Sequence, residues 1–224
     1  MLRTLIVFLF ATGVQAGPIT YSVVVNTGSI SGQSGNVDFQ FNPGCGLSDP
    51  AFVTISAFSS NGTLAGTPAL AGGATGTLPP LVTIHNTSGF NDYSDAFTFG
   101  SFLSFLVKLD GAALTAPSGT ATAGSVFAFS LFNSDFSAAL LTTDTVNGVL
   151  VQADVDTWGK VTITNFGAPG TTSVTALPEP DSASLVMLAL AGVALARIQK
   201  FQAIIFRATT PATSVSRKSR PLKR

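Results

Sequence analysis

Asn36-Val-Asp-Phe-Gln-Phe41 sets Val37, Phe39 and Phe41 on one side of an extended chain and Asp38 and Gln40 on the other. Alternation with period two is the pattern of a strand with one buried and one wet face. Working outward, the same signal returns on either side. Tyr21 to Val25 predicts a first strand, Phe52-Val-Thr-Ile-Ser-Ala-Phe58 a third, and Leu81-Val-Thr-Ile-His85 another. The strongest run covers 96–109, where Phe97, Phe99, Leu103, Phe105, Val107 and Leu109 share one parity and Phe102 and Leu106 load the other. Read as one strand, it is apolar on both sides and therefore central or curved. Further strands are predicted over 125–132, 138–142, 149–155 and 158–166, with Val161 and Ile163 alternating against Thr162 and Thr164 in the last.

Turn residues punctuate these runs: Asn42-Pro-Gly44, Asn61-Gly62, Asp110-Gly111 and Asn147-Gly148. Each supplies a positive φ or a side chain that bonds its own backbone. No stretch between Gly17 and Leu177 keeps a helical period. Short strands at this spacing predict an all-β fold, an antiparallel β-sandwich or jelly-roll-like domain over 17–166 with a phenylalanine core. Residues 65–80 read as a loop beside a weak edge strand. The Thr-rich, uncharged stretch 167–177 reads as a linker.

The two ends read differently from the middle. Arg3, the apolar stretch from Leu5 to Phe10, and Val14-Gln15-Ala16 form a secretory signal peptide over 1–16, with cleavage expected between Ala16 and Gly17. An uncleaved anchor is the alternative, and the short apolar stretch speaks against it. Near the other end Pro178-Glu179-Pro180 precedes fifteen uncharged residues, 182–196, which Arg197 and Lys200 close. As a helix that run reaches roughly 22 Å, against a bilayer core of about 30 Å. It lacks a polar face, and residues 201–206 extend it if Arg197 and Lys200 snorkel. A transmembrane helix over about 183–196 is expected.

This order resembles the PEP-CTERM sorting signal of Gram-negative bacterial surface proteins: the triplet Pro178, Glu179, Pro180, then the apolar helix, then the basic stop Arg197 and Lys200. The resemblance implies export, transient inner-membrane anchoring and processing by an exosortase, with delivery to the cell surface or beyond. The family stops a few residues after its basic cluster, whereas this chain continues to Arg224. The basic tail over 201–224 fits a cytoplasmic end. Phe39-Gln-Phe-Asn-Pro-Gly44, residues 91–100 and Leu140-Leu-Thr-Thr-Asp144 are similar to segments of a small group of PEP-CTERM proteins. That likeness implies a secreted β domain and no particular activity.

Charge is segregated along the chain. Between Gly17 and Leu177 two lysines, Lys108 and Lys160, face nine aspartates and no glutamate, a net charge of −7. Such a surface repels phosphate backbones and argues against nucleic acid as a partner. Cys45 is the single cysteine, so no internal disulfide is available; it reads as a loop residue, or else as a reactive or intermolecular thiol. His85 is the single histidine, which excludes a multi-imidazole zinc site and leaves any Ser-His-Asp triad dependent on it.

Paired acids of the glycosidase kind are available only as Asp92 with Asp95 or Asp154 with Asp156. Asp154-Val-Asp-Thr-Trp-Gly159 is also the best calcium candidate, through Asp154 and Asp156, although it lacks the further ligands of an EF-hand loop. The sequons at Asn61 and Asn86 read as chance in a bacterial chain. No cofactor is implied.

The leading expectation is a non-enzymatic exported surface or extracellular-matrix protein, whose processing partners are signal peptidase and exosortase. The alternative is a carbohydrate- or calcium-binding extracellular module on the same scaffold, with extracellular polysaccharide as its partner. An exposed Trp158 beside Asp154 and Asp156 favours that alternative, and a buried Trp158 favours plain structure.

Overall fold

The computed structural model describes residues 17–177. The expected signal peptide, with Ala16, and the expected sorting signal, helix and tail over 178–224 lie outside the described residues. Among the described residues the strands pair antiparallel in two sheets. One sheet has the order β13 (Thr172–Leu177), β1 (Ile19–Asn26), β9 (Phe102–Asp110), β3 (Phe52–Ser60), β7 (Leu81–His85), β6 (Gly73–Thr77). The other has β12 (Val161–Asn165), β11 (Val149–Val155), β10 (Ser125–Asn133), β2 (Ser34–Pro43) and β8 (Asp92–Thr98), with β4 (Thr63–Leu64) and β5 (Ala69–Ala71) both beside β8. The only α-helix among the described residues is the single turn α1 (Ala112–Thr115), and none is long and apolar enough to cross a membrane.

The apolar half of the alternation read in β2 holds, since Val37, Phe39 and Phe41 are fully buried, but the other face is not wet throughout: Asn36 and Asp38 are buried as well. The ring of Phe39 stacks 4.9 Å from Phe129 of β10 and meets Phe105 of β9, in the other sheet, edge-on at 5.1 Å. These contacts place the core between the two sheets, with Phe41, Phe97, Phe99 and Phe127 also buried in it. Burial of one such ring stabilises by about 1.5–3 kcal/mol, so the phenylalanine core is the main source of cohesion.

The run over 96–109 is two strands, not one. β8 ends at Thr98 in one sheet and β9 begins at Phe102 in the other. The crossing is built where Thr27 Oγ1 donates to the Gly100 carbonyl at 2.7 Å and Asn61 Oδ1 accepts from the amides of Ser101 and Phe102. A Cβ on Gly100 would collide with the main chain of Asn61 and Gly62, so only glycine permits this close passage. The apolar odd-numbered residues, Phe97 to Leu109, stay buried through the crossing, whereas Phe102 lies on the outer face of β9, 40% exposed.

Four other expectations are corrected. Residues 138–142 form no strand; Ala139 and Thr142 make isolated bridges, and Leu141 has a φ of 62°. The strand expected over 158–166 is shortened to Val161–Asn165 because Asp156 caps a turn through residue 160. Residues 65–80, expected as a loop beside a weak edge strand, carry two short strands, β5 and the edge strand β6. The stretch 167–177, expected as a linker, carries β13, which pairs with β1 from Thr20↔Leu177 to Val25↔Thr172. Its Thr and Val residues suit an edge strand, and the open edge of β1 supplies the donors and acceptors. The strand pairing therefore extends past 166 to Leu177.

Candidate functional site

The residues of β2 that alternate with its core positions form the outer face of the seven-stranded sheet. Register fixes their neighbours: Gln40 lies opposite Ala128 and Ala128 opposite Gln152, while Asn42 lies opposite Val126 and Val126 opposite Asp154. A bulge shifts the pairing between Phe129 and Ser130, so that Ser130 faces Val149 and both Leu150 and Val151 remain buried. β10 thus offers short side chains between taller polar ones on β2 and β11. The result is a groove of about 470 Å³ lined by Gln40, Asn42, Ala128, Ser130, Phe132 and Gln152 among others.

The polar walls are braced by neighbours two residues along the same strand, which share a face. Gln40 Nε2 donates to Asp38 Oδ2 at 3.0 Å, and Asn42 Nδ2 donates to Gln40 Oε1 at 3.2 Å. Asn42 Oδ1 accepts from the Asn91 amide at 2.7 Å. Across the groove Gln152 Nε2 donates to both carboxylate oxygens of Asp154, at 2.9 and 3.0 Å. Each glutamine keeps donor and acceptor capacity beyond these bonds.

Past Phe132 the groove adjoins a second hollow, about 360 Å³, rimmed by Phe136, Asp144, Val146 and Asn147. The rings of Phe132 and Phe136 lie 5.5 Å apart, and Phe136 is 47% exposed with a φ of 59°. Asp144 holds the loop closed: its Oδ1 accepts from the amides of Val146 at 3.0 Å and Asn147 at 3.1 Å. The Asn147 amide, followed by that of Val146, holds the Asp144 carboxyl below its usual range.

Beneath Gln40 lies a pair of carboxyls. Asp38 is 4% exposed although it sits on the outer face, and Asp92 of β8 is its diagonal neighbour, opposite Gln40. Burial, then a hydrogen bond to Asp92 and that group's charge, pushes Asp38 up to about 8. Burial also raises Asp92, while the bond from Asp38 opposes the rise. Burial and the neighbouring charge thus favour the protonated form of Asp38, and Asp92 Oδ1 is buried without a partner. Asp95 stands on the opposite face of β8, 2% exposed, with Oδ2 accepting from the Gly66 amide and a buried Oδ1 that lacks a partner. Nearby Tyr93 is pushed up, first by burial.

The residues singled out in the sequence are not brought together. Asp92 and Asp95 point to opposite faces. Asp154 is engaged by Gln152, and Asp156 Oδ1 accepts from the amides of Trp158 at 2.8 Å and Lys160 at 2.9 Å. Among the described residues no three His, Cys, Asp or Glu side chains are placed to hold a metal ion. Trp158 is 73% exposed on the turn that Asp156 caps. His85 is exposed at the end of β7, its ring 5.2 Å from that of Phe52. Cys45 is exposed in the loop after β2. Both sequon asparagines brace loops: Asn86 Oδ1 accepts from the Ala51 amide and its Nδ2 donates to Ser125 Oγ, as Asn61 does around Ser101.

The groove and the Asp38–Asp92 pair escape a reading of the sequence. Asp38, Gln40, Asn42 and Gln152 look there like ordinary solvent-side residues, and their assembly depends on which strands become neighbours. The polar run on alternate positions of β2 is the one trace they leave. No protein-family model, curated protein or solved structure matches this chain.

Proposed function

We propose that the chain is a non-enzymatic exported protein of the bacterial surface or extracellular matrix, anchored transiently in the inner membrane and sorted through a PEP-CTERM signal. The observation that carries this reading is the order Pro178-Glu179-Pro180, uncharged run, Arg197 and Lys200. In this reading the β domain, whose last described strand ends at Leu177, precedes the proposed signal directly. Its structural role would rest on the sandwich or jelly-roll scaffold and the acidic, Thr- and Ser-rich exterior. Expression in a host with an exosortase, and in the same host without it, tests the reading by intact mass. A chain starting at Gly17 and ending near Pro178 to Pro180, lost without the enzyme, is expected. A membrane-held chain reaching Arg224 in both hosts would refute sorting.

A second reading, a carbohydrate-binding extracellular module on the same scaffold, is favoured by the exposure of Trp158 and by the amide-lined groove. Its calcium counterpart has less support, because Asp156 spends its carboxylate on the turn it caps.

A further inference from the structure

We propose that the groove on the outer face of the seven-stranded sheet binds one strand of a neutral, hydroxyl-rich polysaccharide, laid along β10 between Gln40 and Gln152 and stacked on the Phe132–Phe136 pair. The proposal rests on the carbohydrate reading above and gives it a site and a ligand class.

The dimensions come from sheet geometry. Neighbouring strands are about 4.8 Å apart, so the walls on β2 and β11 stand roughly 10 Å apart across β10. Ala128 and Ser130 keep the floor low between them. That is room for one chain of sugar rings and too narrow for a folded partner.

The chemistry selects the occupant. A hydroxyl both donates and accepts, and so does each of Gln40, Asn42, Asn147 and Gln152, all of which line the groove. The carboxylate of Asp154 borders it and no lysine or arginine lines it. Of the two cations between residues 17 and 177, Lys108 belongs to the other sheet, where it pairs with Asp110 at 3.1 Å. An anionic polymer would meet a repulsive field there. A peptide strand would add to a sheet edge through its main chain, whereas β2, β10 and β11 already have strand neighbours on both sides.

The walls are also preorganised. The bond from Gln40 to Asp38 and the bonds from Gln152 to Asp154 fix both side chains before a ligand arrives, which lowers the entropy lost on binding. At the end of the groove the exposed ring of Phe136 is held on a left-handed backbone, a strained conformation that concentrates at functional positions. Rings there can cover the C–H face of a sugar while the amides take its hydroxyls.

Affinity electrophoresis of the purified full-length chain in detergent tests this, in native gels carrying hydroxyethylcellulose, dextran or mannan as neutral polymers and alginate as the anionic one. At least one neutral gel should retard the protein and alginate should not. The double variant Gln40→Ala/Gln152→Ala should weaken retention about tenfold or more. Ala128→Trp, which fills the floor from the solvent side, should abolish it, with both variants keeping the wild-type melting profile. Retention unchanged in these two variants would overturn the groove. If Trp158→Ala alone removed retention, carbohydrate binding would stand and the groove would fall. Retention by alginate alone would overturn the ligand class. A wild-type chain that no gel retards would sink both the site and the carbohydrate reading.

Discussion

Leu177 pairs with Thr20, so the last described residue lies against the start of the first strand, and the two ends of the domain leave from one corner of one sheet. The stretch up to Leu177 is thus part of the fold. Val174→Pro, placed opposite Val23 in the middle of β13, should lower the stability of the domain by about 1–3 kcal/mol through loss of ladder bonds. It should also raise aggregation by baring the β1 edge. Thermal melts with light scattering check this, and a chain indifferent to the substitution would mean that β13 contributes nothing to the fold.

Phe39 touches Phe129 on its own sheet and Phe105 on the other. Truncation to alanine leaves a cavity at the junction of the two sheets. Phe39→Ala should cost about 3–5 kcal/mol, measured by denaturant unfolding, while Phe136→Ala at the exposed loop should cost well under 1 kcal/mol.

The Asp38–Asp92 pair makes stability depend on pH with an unusual sign. Asp38 is raised to about 8 in the folded chain, whereas an unfolded carboxyl ionises near 4. Between those values the native state holds a proton that the unfolded chain has released. The contribution of Asp38 to stability is therefore complete below pH ~4, falls as pH rises and is lost above pH ~8. Asp38→Asn should remove this decline and raise the melting temperature at pH 8 by a few degrees, on the order of 1–3 kcal/mol. Melts from pH 4 to 9 distinguish the outcomes; a wild-type curve flat over that range and unchanged by Asp38→Asn would mean that Asp38 is not raised in the folded chain.

Asp156 closes the turn between β11 and β12 through the amides of Trp158 and Lys160. Asp156→Ala should lower stability by about 1 kcal/mol, and millimolar calcium should leave the wild-type melting temperature unchanged. A calcium-dependent rise that Asp156→Ala abolishes would restore the metal reading.

Gly100 passes so close to Asn61 and Gly62 that a side chain has no room. Gly100→Ala should destabilise by about 1–3 kcal/mol, measured by the same melts. Asn61→Ala should cost less, about 0.5–1 kcal/mol, because the Ser101 and Phe102 amides it releases are exposed and water can replace the acceptor.

The amino-acid order determined by itself that the domain is all-β, where most strands lie, and that Val37, Phe39, Phe41, Phe97, Phe99 and Phe105 form its core. Period-two alternation is a local property, and burial on one face of a strand leaves its mark on every second residue. The sequence also carries the charge segregation. Tertiary structure alone decided that the run over 96–109 divides between two sheets, that 172–177 is an edge strand and not a linker, and that Gln40, Ala128 and Gln152 share one row. Those outcomes turn on which strands pair and in which register, through contacts between residues far apart in the chain. The Asp38–Asp92 pair was hidden for the same reason: the two carboxyls meet only once β2 and β8 lie side by side, and burial there raises both.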